Sequence, residues 1–511
     1  MNIPTYTNPI LPGFHPDPSI VRVGEDYYLA NSTFQFFPGM VLSHSRDLVN
    51  WRYIGHGLTR SEDLPLRGLP DSFGIWAPDI SYVDGMFYLM ATLRLAGAGR
   101  ANIVVRSERP EGPYSAPSVL NHEGIDPSHF VDADGRRYMV YGRGGAWLLP
   151  LSDDSLSPAG EAVKLWDGTG RASPEGPHLL RKDGWYYLIL AEGGTEYGHC
   201  ITVARSRGLL GPYEACPTNP VHTQTDPAAV IQRAGHGKLV ETQHGEWWMV
   251  HLGGRPLRGG FCTLGRETYL EPVQWTEDGW FTVNGGQGPS LVQQAPALPE
   301  TVWDAPPARD EFEAADLPLH WCFAWNPVEE NWSLTERPGF LRLYTGDADL
   351  DSTDAENVLV RRETAHRYTA GLKLEFTPGV AGEQAGLTCY YDSRCFIKLA
   401  LTAVDSGLAV KLTENRARSL RELASHPVPA GTGTLYLQVR VDGETRSFYY
   451  SLDGTEWLEA GTVEDARFLS DEGTQEKKAF TGAMVGLFAV NGGSGRRIPA
   501  DFDWFEYRAG D

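Results

Sequence analysis

The sequence is short of cysteine, of positive charge and of long apolar runs, and each shortage removes a class of protein. Six cysteines stand at 200, 216, 262, 322, 389 and 395 with no C-x-x-C pair. That spacing suits neither a disulfide framework nor a zinc site, so they are expected to be reduced core residues. Lys and Arg number 44 against 66 Asp and Glu, a formal net charge of −22. Such a chain repels phosphate backbones and anionic lipid, and no basic cluster reverses this locally, so neither nucleic acid nor membrane is an expected partner. No run of about 18 apolar residues occurs. The opening MNIPTYTNPILPGF has neither a basic n-region nor an apolar run of signal-peptide length, and a cytoplasmic location is expected.

What the chain has is aromatic rings and glycine. Its 511 residues include 15 Trp, 22 Tyr, 20 Phe and 57 Gly. This mixture suits short strands and tight turns better than helices, where glycine is costly. An all-β protein of two domains is expected. Many rings beside many carboxylates are also what a sugar-binding surface needs, since rings stack on C–H faces and carboxylates accept from hydroxyls.

One phrase, turn residues then aromatic then apolar ones, occurs five times: GEDYYLAN, DGMFYLMA, DGRRYMVY, DGWYYLIL and HGEWWMVH. Each reads as a hairpin turn leading into a strand. The second aromatic of each is Tyr28, Tyr88, Tyr138, Tyr187 and Trp248, with spacings of 60, 50, 49 and 61 residues. That period belongs to four-stranded propeller blades, and five of them fill the chain from about residue 10 to 290. Twelve residues before the markers stand Pro16, Trp76, Asp126, Glu175 and His236, and in the first blade Asp17 lies eleven back. Blades are related by rotation about one axis, so these side chains are expected at equivalent positions, converging on one end of the channel. Each acid has proline or glycine beside it, in HPDPS, GIDPS and SPEGP. Pro16 and Pro18 predict a stiff, extended backbone that aims Asp17. Three acids held together cannot all ionise cheaply, so at least one is expected to hold its proton and serve acid and base chemistry.

Carboxylates and aromatics in one pocket suggest glycoside hydrolysis, which needs one protonated acid and one ionised carboxylate. The motifs FHPDPS, GIWAPD, IDPS, SPEGPH and LGRET, in this order, resemble glycoside hydrolase family 43 over nearly the whole chain. The resemblance is to its branch of β-xylosidases with α-L-arabinofuranosidase activity and a C-terminal β-sandwich. It implies hydrolysis with inversion, removing xylose from the non-reducing end of xylooligosaccharides. Asp17 resembles the general base and Glu175 the general acid, about 6.5–9.5 Å apart to admit a water. Asp126 resembles the carboxylate that orients Glu175; as a permanently charged neighbour it would raise the Glu175 pKa, while Asp17, facing solvent, stays ionised. Arg266 resembles an arginine that grips sugar hydroxyls, and Phe34 and Trp76 resemble walls of the first sugar pocket. His236 resembles a histidine that holds a water or a divalent cation, calcium as a hard cation bound mostly by waters, in the channel. The reaction itself is expected to need no cofactor. A small oligosaccharide is the expected partner, and a homo-oligomer is left open. An α-L-arabinofuranosidase and, from another class, a non-catalytic propeller lectin are the competing readings; a lectin would repeat its binding residues in every blade, and this chain varies them.

Residues 286–308 are rich in proline and polar residues without periodicity, so a propeller over 1–295 and a second domain over 308–511 are expected. Beyond the strap, segments such as GLTCYYD, CFIKLAL and LYLQVRV alternate as half-buried strands, which predicts a lectin-like β-sandwich packed on the propeller. Phe480, in KKAFTGAMVG, is a candidate lid aromatic over the pocket.

Overall fold

The computed structural model describes residues 4–97, 99–476 and 479–510. Its first part is a ring of five antiparallel sheets, each built from one stretch of chain. The first strands of the sheets are Ser19–Val23, Gly74–Val83, Ile125–Val131, Glu175–Lys182 and Gln232–Glu241. They lie against one another around the axis. The second strands carry the repeated phrase and are apolar where they pack. Leu29, Leu89, Val140, Leu188 and Val250 have no exposed surface, because every blade is covered by a neighbour on both faces. Each such side chain contributes about 1.5–3 kcal/mol by burial.

The ring is closed through the N-terminal segment. Leu11 and Thr268 exchange backbone hydrogen bonds, and the His15 amide donates to the Arg266 carbonyl. Strand Thr5–Thr7 pairs with Val292–Gln294, so the strap expected to be without structure supplies a strand to the closure. Farther on, the strap is pinned to blade 1: the Thr301 amide donates to Asp47 and Trp303 Nε1 to the Asn50 carbonyl.

The hairpins that open the blades differ in length, and this corrects the expected register. In blades 1, 2 and 4 two residues link the strands, as between Val23 and Asp26, Val83 and Met86, and Lys182 and Trp185. In blades 3 and 5 the loop is one residue longer, closed by the Asp132 amide to the Arg136 carbonyl and the Thr242 amide to the Glu246 carbonyl. A constant step of twelve therefore lands one residue early in blades 1, 2 and 4. The equivalent set is Asp17, Ala77, Asp126, Gly176 and His236, all left-handed, with φ of 51°, 36°, 57°, 57° and 47°. The backbone at Asp17 is thus not extended as its prolines predict. Glu175 and Trp76 precede this position, as Ile125 does in blade 3. In blades 2 to 5 the strand register shifts across it. Such a bulge re-aims neighbouring side chains, and a non-glycine residue held there costs about 1–3 kcal/mol that the surrounding sheet must offset.

The second part is a sandwich of two eight-stranded sheets. One of its edge strands comes from the propeller: Phe36–Phe37, inserted in blade 1, pairs with Trp321–Ala324. A single apolar core runs through the junction, joining Phe14, Phe36 and Ile75 of the propeller to Trp325, Phe396 and Phe488 of the sandwich. The two units are therefore welded, and a sandwich loop can be held over the propeller mouth.

Candidate active site

The bulges bring the predicted residues to one pocket. Asp17, Asp126 and Glu175 line it with His236 and Arg266, and Phe34, Trp76 and Phe480 form its aromatic side. The three rings touch in sequence, with centroids 6.0 Å apart for Phe34–Trp76, 6.0 Å for Phe34–Phe480 and 5.7 Å for Trp76–Phe480. Two of them are fixed by Ser72: its carbonyl accepts from Trp76 Nε1, and its hydroxyl accepts from the Phe480 amide. Phe480 thus belongs to the pocket, delivered by the sandwich loop between strands Leu458–Val463 and Met484–Val490.

Asp17 is buried, 5 % exposed, and does not face solvent as expected. Arg266 Nη1 donates to its Oδ1 at 2.8 Å and the Ser32 hydroxyl to its Oδ2 at 2.6 Å. Burial alone would raise its pKa, but Arg266, then His236 and Ser32, outweigh it and hold the carboxyl below its ordinary value. Asp17 is an anion because of its partners, not because of water. Arg266 also donates from Nη1 to Thr195 Oγ1 at 3.2 Å and from Nη2 to the Phe480 carbonyl at 3.0 Å. Three of its five N–H hydrogens are spent on the protein, so its main work is to fix Asp17, and one Nη2 hydrogen and the buried Nε–H remain without a partner.

Glu175 and Asp126 have the opposite electrostatics. Burial and then the charge of Asp17 push Glu175 up to about 7, with Arg266 opposing. Burial, with repulsion from Glu175 and Asp17, also pushes Asp126 up to about 7 against the pull of His236. Asp126 is therefore not the permanent charge the sequence suggested. Repulsion between it and Glu175 is mutual, and the two titrate as a pair that keeps a proton into the neutral range. Asp126 Oδ2 accepts from the Gly176 amide at 3.0 Å, which ties the peptide next to Glu175. A side chain at Gly176 would crowd His236, its Cβ lying 3.1 Å from Nε2.

A cation beside His236, expected to be bound mostly by waters, would have few protein donors. Among the described residues no group of three or more His, Cys, Asp or Glu is placed to hold a metal ion. His236 Nδ1 is 3.7 Å from Asp17 Oδ1, and that oxygen already faces Arg266. Deeper in the channel, Asp79 is answered by Lys238, whose Nζ lies 2.5 Å from Oδ1 and also donates to Ser19 and the Ile80 carbonyl. His178, 3.6 Å from Asp79, is pushed down to about 3 by burial and is neutral. The residues present do not fit a cation held by side chains.

Several residues of the site carry no signal in the sequence. Thr195 and His199 lie in the pocket wall, and behind them Arg233 donates from Nε to the Thr195 carbonyl at 2.8 Å. Arg233 is in turn paired across the junction with Asp471 at 2.6 Å and Glu472 at 3.2 Å. Asp471 also accepts from the Tyr391 hydroxyl, which receives the Thr481 amide. A chain of contacts thus runs from the sandwich loop through Arg233 and Thr195 to Arg266 and Asp17. Bonded members of this chain lie 38 to 249 residues apart, so no local pattern could reveal them. Removing Asp471 leaves a buried guanidinium half-paired. An Asp471→Ala chain is expected to lose about 3 kcal/mol of stability in denaturant melts and to lose kcat as Arg266 loosens; an unchanged midpoint would show the clamp to be idle.

Comparison with known proteins places the whole chain among relatives. The model for glycosyl hydrolases family 43 matches residues 6–281. The chain belongs to that family. A second model, the beta-xylosidase C-terminal concanavalin A-like domain, matches residues 309–508. A xylan 1,3-beta-xylosidase from a Vibrio species is 42 % identical, with 98 % of this chain and 99 % of that protein covered. A non-reducing end alpha-L-arabinofuranosidase of Bacteroides ovatus is 37 % identical over 99 % of this chain and 95 % of its own length. The crystal structure of the GH43 BlXynB protein from Bacillus licheniformis superposes with a TM-score of 0.96 at 56 % identity, covering 99 % of this chain and 100 % of that one. This family 43 chain is a glycosidase with a five-bladed propeller and a concanavalin A-like sandwich, and the lectin reading is set aside.

Proposed function

We propose that this glycosidase removes xylose from the non-reducing end of short xylooligosaccharides with inversion, and that it accepts α-L-arabinofuranosides as secondary substrates. The observation that carries the reading is the opposed electrostatics of one pocket: Asp17 held ionised by Arg266, Glu175 held protonated by burial. Asp17 takes a proton from a water as the water oxygen attacks the anomeric carbon, and Glu175 gives its proton to the departing glycosidic oxygen. The turnover leaves Asp17 protonated and Glu175 charged. Their unequal affinities then return the proton to Glu175 through solvent.

The aromatic wall with Phe480 across one side favours a chain end over a chain middle, which supports exo action. Xyloside preference rests on the relatives named as xylosidases, including one of Bacillus subtilis that is 37 % identical over 98 % of this chain. The arabinofuranosidase reading rests on the Bacteroides ovatus relative. Six buried, unpaired cysteines suit the reducing interior of a cell, where imported oligosaccharides would be met. Proton NMR of xylobiose hydrolysis should give α-xylose first, and initial rates should be higher on an aryl β-xyloside than on an aryl α-arabinofuranoside. First appearance of the β-anomer would refute inversion; faster arabinofuranoside turnover would reverse the substrate order.

A further inference from the structure

A second concave site lies at the junction, away from the pocket described above and sharing none of its residues. It is bounded by the N-terminal segment, the start of blade 1's outer strand, the strap around Trp303 and sandwich residues near His320 and Arg361. Three arginines line it: Arg52, Arg361 and Arg362. Among the described residues none of them has a carboxylate oxygen within 4.0 Å, the limit for an ion pair. The chain carries a net charge of −22, so three arginines without carboxylates in one groove run against its composition. Arg362 is 5 % exposed, and its Nε donates to the Phe14 carbonyl at 2.6 Å. Arg361 stacks over the Tyr507 ring at 4.7 Å, and its buried Nε has no acceptor. His320 Nε2 is likewise buried without a partner.

Taking the guanidinium groups of Arg361 and Arg362 out of water without an ion-pair partner is costly, while Arg52 stays exposed at the mouth of the groove. The neighbouring imidazoles do not relieve it. Burial, then the arginines, pushes His320 down to about 3 and His15 well below its ordinary value, so both are neutral. The one carboxylate in the lining, Asp304, is exposed at the rim. Rings flank the charged end. Trp303 lies under Arg52, 4.0 Å from its guanidinium carbon, and Trp51 and Leu319 continue the apolar wall.

We infer that this groove binds a small molecule carrying a carboxylate or phosphate, the oxyanion met by the guanidinium groups of Arg361 and Arg52 and the body laid against Trp303 and Trp51. Planar guanidinium groups match both oxyanions, and indole faces accept the C–H side of a sugar ring. A carboxylate on a pyranose ring and free phosphate share this chemistry. The inference is independent of what the catalytic pocket cleaves.

Calorimetric titration of the full chain, with xylose saturating, separates the sources using three probes: sodium glucuronate, inorganic phosphate and, as a neutral control, added xylose. Glucuronate is expected to bind and to lose about tenfold or more in affinity in Arg361→Gln, the loss of one charge-assisted bond pair. Glucuronate binding that also weakens in Trp303→Ala assigns an acidic sugar. Phosphate binding as tightly, with no effect of Trp303→Ala, assigns a free oxyanion. If Arg361→Gln does not fold, exposed Arg52 takes its place as Arg52→Gln. Turnover on an aryl xyloside should be unchanged in these variants. No heat from either anion at millimolar concentration, or equal binding by wild type and the arginine variants, would overturn the site.

Discussion

A Glu175→Gln enzyme is expected to keep its fold and lose on the order of 10³-fold or more in kcat/KM on xylobiose, while keeping much of its rate on an aryl xyloside with a good leaving group. The amide fills the same space in the pocket but has no proton to give. A leaving group that departs as a stable anion hardly needs one. Asp17→Asn should behave differently, losing a comparable factor on both substrates, because the water must be deprotonated whatever leaves. Asparagine keeps one oxygen to accept from Arg266, while its amide nitrogen faces the Ser32 hydroxyl, which turns to accept, so the buried guanidinium is not left without an acceptor and the fold is preserved. Steady-state kinetics on the two substrates checks both. A rise in KM with kcat unchanged would make these residues sugar ligands without a part in the chemistry.

The second large effect is expected at Asp126. Wild-type kcat should fall as pH rises through about 7, where the Asp126–Glu175 pair loses its proton, and should fall on the acid side below the ordinary aspartate value of 3.8, where Asp17 is neutralised. Asp126→Asn removes one member of the pair. The basic limb should then move to lower pH, though burial and the charge of Asp17 still keep Glu175 above its ordinary 4.5. The acid limb should hardly move, and substrates with poor leaving groups should suffer most. Stability follows with a definite sign. Both carboxyls bind protons more tightly in the folded chain than in the unfolded one, so their contribution is complete below their unfolded values and is lost as pH rises through about 7. The wild-type difference in Tm between pH 5 and pH 8 should narrow in the variant. Limbs that stay in place, with equal losses on good and poor leaving groups, would leave Asp126 a positioning residue for the Gly176 peptide alone.

The repeated phrase made the propeller legible, because a turn, an aromatic and a buried apolar strand are local demands that every blade must satisfy again. The constant step of twelve lands one residue early in three blades, so it sets Glu175 and Trp76 equivalent to Asp126 although they precede that position. The difference between two- and three-residue hairpins shifts the count without changing the phrase, as the loops after Lys182 and Val131 show. Prolines beside Asp17 and Asp126 marked the positions that matter, yet they suggested extended backbone where the residues are left-handed. That conformation is imposed by pairing on both sides, not by the dipeptide.

The sequence alone determined the fold class, the strap, the family motifs and the side chains that face the pocket, since each rests on residue type and short-range spacing. The protonation of those side chains was decided by the tertiary structure. Asp17 is an anion because Arg266, 249 residues away, donates to it, and Asp126 leans toward its protonated form because burial and two neighbouring acids outweigh His236. The same holds for the Arg233–Asp471 clamp and for the arginine groove at the junction. Electrostatic energy depends on distance and on exclusion of water, and neither exists until distant parts of the chain have packed together.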